Sequence, residues 1–325
     1  MRGAAGQAAV QRLMRLLATA GAALVLVVIV SSAYLRLSQA GLSCADWPAC
    51  YGHVARSTDA TIAQRGARLA HRFAATGVAG VLLALLAVSA TQRPRRRRQA
   101  AIAGAGLAVA AGLAVVGAVS SEAASPVPLP AVTIANLGGG FAILALLWWL
   151  RQTVLETSAS SGARMARSPW LSVLATLTLL AVIGQIALGA LVSAKFAALA
   201  CPAFPLCGAD APPGTLPEAF DPFTALAVDA SNAIVRPAAL ATLHWTHRVG
   251  AHVVLVLGAV LAVALVRDTG LKACGIALAA LLVVQLALGA GTVLAHLPLA
   301  LVLAHNLVAA LLLGALVAIN GRLRT

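Results

Sequence analysis

Long apolar runs separated by short polar segments dominate the chain. Runs of roughly 20 residues recur along it, and they cover residues 16–35, 70–90, 100–121, 130–150, 170–194, 240–266, 272–294 and 299–320. A helix of that length crosses the hydrocarbon core of a bilayer, because each helical residue adds about 1.5 Å along the axis. The pattern therefore predicts an all-α polytopic membrane protein of about eight transmembrane helices.

The composition supports a membrane protein and excludes a soluble domain. Hydrophobic residues make up 61% of the chain and charged residues only 10%, with a mean hydropathy of +0.94. A soluble domain carries roughly a quarter charged residues. The net charge of +14 would suggest nucleic acid, but most of the 23 Lys and Arg fall in alternate connections between the runs. That distribution indicates the lipid bilayer as partner and no nucleic acid.

The positions of the cations predict an orientation. By the positive-inside rule, the N-terminus, the arginine-rich run from Arg93 to Arg98 and the C-terminus are cytoplasmic. We interpret this run as a topology signal; the alternative is a patch for anionic lipid or nucleic acid. The long connections 36–69 and 195–239 then lie outside. We read the first run as a retained helix, because no convincing signal-peptide cleavage site follows it.

Two halves of the chain resemble each other. Each half contains a C-x5-C motif in its long outer connection, a His-Arg pair near the start of the next span, and a decapeptide that begins Pro-Leu. The copies are Cys44–Cys50 with Cys201–Cys207, His71-Arg72 with His247-Arg248, and Pro128–Leu137 with Pro298–Leu307. The common order predicts two duplicated four-helix bundles. We expect an N-terminal half at 1–150, a cytoplasmic linker at 151–168 and a C-terminal half at 169–325.

Histidines within the apolar runs are the candidate chemical groups. An imidazole in a membrane helix is costly without a partner. His71, His247 and His305 lie within the first two turns or so of the second, sixth and eighth spans, which run in the same direction, so they share one depth. Two imidazoles at one depth on parallel helices can ligate a haem iron, and His247 with His305 is the natural pair. A proton relay and histidines satisfied by packing are the alternatives.

Neighbouring residues could support such a site. Arg72 and Arg248 directly follow two of the histidines; each could bind a haem propionate, or simply extend its charge to the interface. His244 lies three residues before His247, on the same helix face, and could support that ligand or face a substrate. The cysteine pairs lie on the oxidising side. They could form disulfides that clamp the outer loops, or a redox-active pair.

These residues together resemble those of the haem A synthase family, membrane enzymes that oxidise a methyl group of haem O to the formyl group of haem A. The similarity covers nearly the whole chain, and the bacterial forms with cysteine-containing outer loops look closest. The matching stretches are Tyr34–His53, His71-Arg72, Cys201–Cys207, Leu243–His252 and Leu303–Asn306. The resemblance implies a multi-pass protein of the bacterial inner (plasma) membrane.

The resemblance also implies roles for individual residues. The cofactor would be haem b, its iron held by His247 and His305, with Arg248 and His244 beside it. The substrate haem O would lie in the N-terminal half, its iron bound by the catalytic His71. Arg72 and Asn136 would complete the substrate site.

Two positions in the N-terminal half depart from the family pattern. The repeat places Ala135 opposite His305, where the family has a second histidine in the fourth helix, and Asn136 follows it. Arg68 stands where the family has a catalytic glutamate, three residues before His71.

The reaction implied by the resemblance is two successive hydroxylations of the methyl group, which give a gem-diol that loses water to leave the aldehyde. Haem b would relay electrons. The implied partners are the farnesyltransferase that produces haem O and the assembling terminal oxidase, and a homo-oligomer is left open. The alternatives are a haem b-binding membrane electron carrier and a haem-delivery protein that has lost synthase activity.

Overall fold

The computed structural model describes residues 2–39, 61–92, 96–122, 129–158, 169–201, 203–204, 207, 216–227, 229–230, 234–235 and 239–324. In this part of the chain, eight helices are long and apolar enough to cross a membrane, which confirms the prediction of an all-α polytopic protein. The long helices are α1 (Arg2–Gln39), α2 (Ile62–Thr91), α3 (Arg97–Glu122), α4 (Pro130–Ser158), α5 (Pro169–Ala194), α7 (Ala239–Arg267), α8 (Lys272–Leu294) and α9 (Leu299–Arg324). A 3₁₀ turn at Ala197–Leu199 and the short α6 (Leu216–Phe220) lie between α5 and α7.

Three helices extend beyond the apolar runs that predicted them. α1 begins at Arg2 and α2 at Ile62, because polar helix formers precede each run. Thr61 caps α2: its hydroxyl accepts from the Gln64 N–H, and the Gln64 side chain accepts from the Thr61 N–H. α4 continues to Ser158, so the first eight residues of the predicted linker 151–168 are helical. The remainder of that linker lies outside the described residues.

The long helices pack in two rings of four. In the first ring, α1 contacts α2, α2 contacts α3, α3 contacts α4, and α4 returns to α1. In the second ring, α5, α7, α8 and α9 contact each other in the same cyclic order. Helices that cross a membrane in succession alternate in direction, so the diagonal helices α7 and α9 run parallel, as do α2 and α4. Duplication of one ancestral bundle stays a prediction.

The two rings share one apolar core. α9 contacts α1 and α4 of the first ring, and α4 also contacts α5. Small residues permit this close approach: a Cβ added at Gly314 of α9 would lie 2.6 Å from the indole nitrogen of Trp148, and one at Gly321 would lie 2.8 Å from Cγ of Gln152. Buried side chains from both rings, Leu144 and Leu316 among them, therefore join a single cluster.

A close helix crossing joins α7 and α8. A Cβ added at Gly275 would lie 2.7 Å from the carbonyl oxygen of Ala262 and 2.7 Å from the amide nitrogen of Val266. Both atoms belong to the backbone, so the α7 helix itself would have to move. Any side chain at residue 275 therefore separates the helix that carries His247 from its neighbour.

We expect Gly275→Ala to lower the free energy of unfolding by about 1–3 kcal/mol, because overpacking a close helix contact forces backbone shifts. Thermal unfolding of the purified protein in detergent measures the change. Gly112→Ala on α3 is the matched control, since no atom lies within 4 Å of a Cβ added there. Equal melting temperatures for Gly275→Ala and the wild type would show that this crossing is not tight.

Candidate functional site

His247 of α7 and His305 of α9 lie on the two diagonal helices of the second ring. Both imidazoles are half-buried. With a rise of about 1.5 Å per residue, His71, His247 and His305 lie roughly 14, 12 and 9 Å beyond the first residues of their helices. His71 is thus about two and a half turns from the first residue of α2, further than predicted, because α2 begins before its apolar run.

A glycine on a neighbouring helix faces each of these two imidazoles. A Cβ added at Gly189 of α5 would lie 3.1 Å from Cε1 of His247. A Cβ added at Gly289 of α8 would lie 3.2 Å from Cε1 of His305. Because neither glycine has a side chain, each imidazole has room beside the helix that it packs against.

A glutamine lies one turn before each of these glycines and contacts the same histidine. Nε2 of Gln185 is 3.1 Å from Nδ1 of His247 and donates to the His247 carbonyl at 2.8 Å. Nε2 of Gln285 is 3.2 Å from Nε2 of His305. Both histidines of the predicted pair therefore have an amide partner within the apolar bundle.

Several polar atoms around these histidines are buried with no hydrogen-bond partner in the described part of the chain. They are Oε1 of Gln185, Oε1 of Gln285, Nδ1 of His305 and Nδ1 of His244. A buried polar atom without a partner costs about 1–3 kcal/mol. Such atoms concentrated around His247 and His305 indicate a binding site rather than a satisfied structural core.

Arg248 points away from the bundle and into the outer loop. Its guanidinium donates to the carbonyls of Cys201 at 2.5 Å and Ala203 at 2.6 Å, and lies 5.9 Å from the ring centroid of Phe204. The buried His244 contacts the backbone of Ala197 in the 3₁₀ turn. These two residues thus hold the outer loop over the histidine pair, while the predicted propionate role of Arg248 stays a prediction.

A second cation holds the following part of the same loop. The buried Lys195 donates from Nζ to the carbonyl of Glu218 at 2.6 Å. Burial lowers the pKa of the Lys195 ammonium, against the opposing effect of Asp221 and then Glu218. Hydrogen bonds from the Thr224 hydroxyl and the Phe223 N–H lower the pKa of the Asp221 carboxyl.

The loop also reaches the first ring at its outer end. The Ala131 N–H, in the first turn of α4, donates to the carbonyl of Pro222 at 2.8 Å. This hydrogen bond satisfies one of the amide groups that a helix N-terminus leaves without an internal partner. The long connection of the second half is therefore attached to the helix that carries Ala135 and Asn136.

The candidate substrate residues of the first ring lie in a more open environment. His71 is half-buried on α2, whereas Arg72 and Arg68 are exposed. On α4, both Ala135 and Asn136 are exposed. The structure thus places no second imidazole opposite His71 among the described residues of α4.

An apolar groove lies between α1, α2 and α9. Ala63 and Ala67 precede His71 at intervals of four residues, so the three share one face of α2. Together with Tyr34 of α1 and Leu303 of α9, the two alanines line a groove of about 560 Å³. The groove therefore lies between His71 and the first residue of α2, where α1 and α2 of the first ring meet α9 of the second.

Of the two predicted cysteine pairs, one lies within the described residues. Cys201 and Cys207 form a disulfide with a Cα–Cα distance of 4.7 Å, as predicted. Cys44 and Cys50 lie outside the described residues, so their pairing stays a prediction. Cys274 is a free thiol that accepts from Arg322 at 3.0 Å. The described residues contain no cluster of three or more His, Cys, Asp or Glu arranged for a metal ion.

The fold and the site define a class: a multi-pass helical membrane protein with one histidine on each of two diagonal helices of a four-helix ring. A family described as cytochrome oxidase assembly protein, COX15-CtaA, matches residues 15–317. The chain therefore belongs to this family. A curated relative from Shewanella oneidensis, named Heme A synthase, is 33% identical over 315 residues, which cover 91% of this chain and 92% of the relative.

The sequence analysis missed Gln185, Gln285 and their glycines. A signal for them exists, because Gln185–Gly189 reads QIALG and Gln285–Gly289 reads QLALG. The two pentapeptides differ only in Ile186 against Leu286. The repeat between the two halves relates α5 to α1 and α8 to α3. A similarity between α5 and α8, within one half, is therefore not part of that repeat.

Mass spectrometry of unreduced peptides should recover Cys201 linked to Cys207, because their Cα atoms lie 4.7 Å apart, within the range of a disulfide. We expect the same for Cys44 with Cys50. Cys274 serves as the internal control and should be alkylated without reduction. Alkylation of Cys201 and Cys207 in protein from intact cells would contradict the pairing.

Arg248→Lys should loosen the outer loop, since an ammonium cannot reproduce the two-pronged contact of the guanidinium with both carbonyls. We expect amide hydrogen exchange at residues 201–204 to rise by about tenfold, from the loss of about 1.5 kcal/mol of hydrogen bonding to a charged group. Arg267→Lys, at the far end of α7, is the control. Unchanged exchange would mean that Arg248 does not hold the loop.

Proposed function

We propose that this protein is a haem A synthase, which oxidises a methyl group of haem O to the formyl group of haem A. The observation that carries the proposal is the 33% identity to a curated Heme A synthase across 91% of the chain. Membership of a cytochrome oxidase assembly family supports the same role. The product would then be consumed by the assembling terminal oxidase.

The second ring is the proposed site of haem b. Its residues fit this group, because His247 and His305 lie on parallel diagonal helices of one ring and the polar atoms buried around them lack partners among the described residues. When bound, haem b supplies one-electron redox chemistry. His247 and His305 would hold its iron. Gly189 and Gly289 leave space for the two imidazoles. Arg248 and His244 would close the outer side of the site.

The first ring is the proposed site of haem O. His71 would bind the substrate iron, with Arg72 and Asn136 at the outer rim. The groove lined by Ala63 and Ala67 would receive an apolar substituent of the substrate, because it opens on the same face as His71. The substrate methyl group would be hydroxylated twice, and the resulting gem-diol would lose water to give the aldehyde. Haem b in the neighbouring ring would supply one-electron redox chemistry to this oxidation.

The proposed topology follows from the charge distribution. We place both termini on the cytoplasmic side of the bacterial plasma membrane, because most Lys and Arg flank the corresponding helix ends. The histidine pair and the disulfide loop would then lie toward the outer surface. A haem O-producing farnesyltransferase would supply the substrate.

A haem b-binding protein without synthase activity is the second candidate. The specific observation in its favour is the loss of two groups in the first ring: Arg68 replaces the expected carboxylate, and Ala135 replaces the expected imidazole. Arg68 and Asn136 are both exposed, so neither takes up the missing position inside the ring. A carrier or delivery protein would need only the second ring.

We expect His71→Ala to abolish haem A formation while leaving the haem b spectrum intact, because the two haems occupy different rings. His305→Ala should instead abolish or strongly alter a low-spin bis-imidazole spectrum. The experiment is co-expression with a source of haem O, followed by extraction and chromatography of the haems and by optical spectroscopy of the purified protein. Asn136→Ala should be less harmful than His71→Ala.

His252→Ala is the matched control, since this exposed histidine bonds through Nδ1 to the Arg248 carbonyl of its own helix. Both haem A yield and spectrum should be unchanged in it. Normal haem A formation by His71→Ala would contradict the active site in the first ring. A wild-type protein that binds haem b but makes no haem A from adequate haem O would favour the carrier.

A further inference from the structure

We infer that Gln185 and Gln285 are positioning residues that fix the ring planes of His247 and His305, each by accepting a hydrogen bond from the imidazole nitrogen that the haem iron does not take. The inference rests on the proposed haem b site and adds to it two residues on α5 and α8. These are the two helices of the second ring that carry no iron ligand.

The contacts are direct and occur at both histidines. The Gln185 amide lies 3.1 Å from Nδ1 of His247, and the Gln285 amide lies 3.2 Å from Nε2 of His305. The other end of each amide, Oε1, is buried and has no hydrogen-bond partner among the described residues. Each glutamine therefore has an unused acceptor within one amide rotation of an imidazole nitrogen.

Glycines around each glutamine allow it to pack closely against the imidazole. Gly189 and Gly289, one turn after the glutamines, leave just enough room for Cε1 of the two histidines. Gly250, almost one turn after His247 on α7, faces Oε1 of Gln185 so closely that any Cβ there would collide with it. The Gln185 side chain thus lies in a slot between the α5 and α7 backbones.

The same arrangement occurs twice in the second ring and is missing from the first. QIALG of α5 faces His247 and QLALG of α8 faces His305, so α5 with α7 corresponds to α8 with α9. In the register that aligns Pro128 with Pro298, the counterparts of Gln285 and Gly289 are Val115 and Val119. Both valines are exposed, at 63% and 66%. A glutamine and a glycine one turn apart therefore occur on the helices that pack beside His247 and His305, and not at the matching positions of α3.

Imidazole chemistry explains the need for an acceptor. A neutral histidine has one ring nitrogen with a lone pair and one N–H. When the lone pair is used by iron, the N–H is left in an apolar bundle, where it is costly without an acceptor. A glutamine carbonyl oxygen satisfies it, fixes the ring orientation and makes the ligand more basic. Each glutamine amide now presents Nε2 to its imidazole, so it has to turn over for this. In Gln185 the turn gives up the hydrogen bond that Nε2 donates to the His247 carbonyl.

The test uses haem b spectroscopy and redox potential rather than catalysis. In Gln185→Leu and Gln285→Leu, loss of the acceptor should raise the midpoint potential of haem b and shift the largest g value of its low-spin electron paramagnetic resonance signal. In Gln185→Glu and Gln285→Glu, the carboxylate is a stronger acceptor and should lower the potential. Gln152→Leu on α4 is the control for removing a buried glutamine from a span, and neither quantity should change in it.

The outcomes separate this inference from the proposed function. Haem loss in the Leu variants with retention in the Glu variants would support the acceptor role, since Glu restores only the oxygen. Potentials and g values unchanged in all four variants, beside a normal bis-imidazole spectrum in the wild type, would overturn the inference and leave the haem b site standing. Haem loss in the Glu variants would also overturn it. A wild type without haem would overturn the proposed function itself.

Discussion

Backbone hydrogen bonding in a medium without water is the constraint on which this structure depends. In the hydrocarbon core each amide N–H and carbonyl must find its partner within the chain, and a helix does this without help from other segments. The helices then associate without a hydrophobic driving force between them, so close van der Waals contact decides their arrangement. That is why the closest approaches involve glycines: Gly275 between α7 and α8, and Gly314 and Gly321 between the two rings.

The same constraint determines where polar side chains lie. Within the second ring, the imidazoles of His247 and His305 each contact an amide from a neighbouring helix, and Asn320 of α9 donates to the Ala175 carbonyl and accepts from Thr176 on α5. The first ring has a single histidine, His71, in its described helices, and the apolar groove near it lies between α1, α2 and α9. The described helices of the two rings therefore differ in the polar groups that they carry.

The outer connection between α5 and α7 links these two environments. Arg248 and His244, on either side of His247 in the chain, hold its first part, and Lys195 holds the part that follows. Pro222 then accepts a hydrogen bond from the first turn of α4. The connection between α5 and α7 is thus attached to both rings of helices. A displacement of this connection would affect the adjacent ends of both rings.

The number and type of the helices were determined by the sequence alone, because roughly 20 apolar residues in succession have no other stable form in a bilayer. The starts of α7, α8 and α9 were predicted within a residue, since Pro or charged residues interrupt the runs there. The helices with polar extensions, α1, α2 and α4, were predicted too short, because hydropathy does not report a helix that continues into water. His247 and His305 were found as a pair because span direction and depth follow from counting residues.

Only the tertiary structure decided which residues surround that pair. The ring order places α7 diagonal to α9 and puts α5 and α8 beside them, which brings Gln185 and Gln285 to the imidazoles from residues 62 and 20 positions away in the chain. Arg248 illustrates the same limit, since its position beside His247 in the sequence did not predict that the guanidinium donates to the Cys201 and Ala203 carbonyls. Hydropathy and spacing specify how far along a helix a side chain lies. The neighbour that it meets depends on helix rotation and ring order, which are set by packing between segments that are distant in sequence.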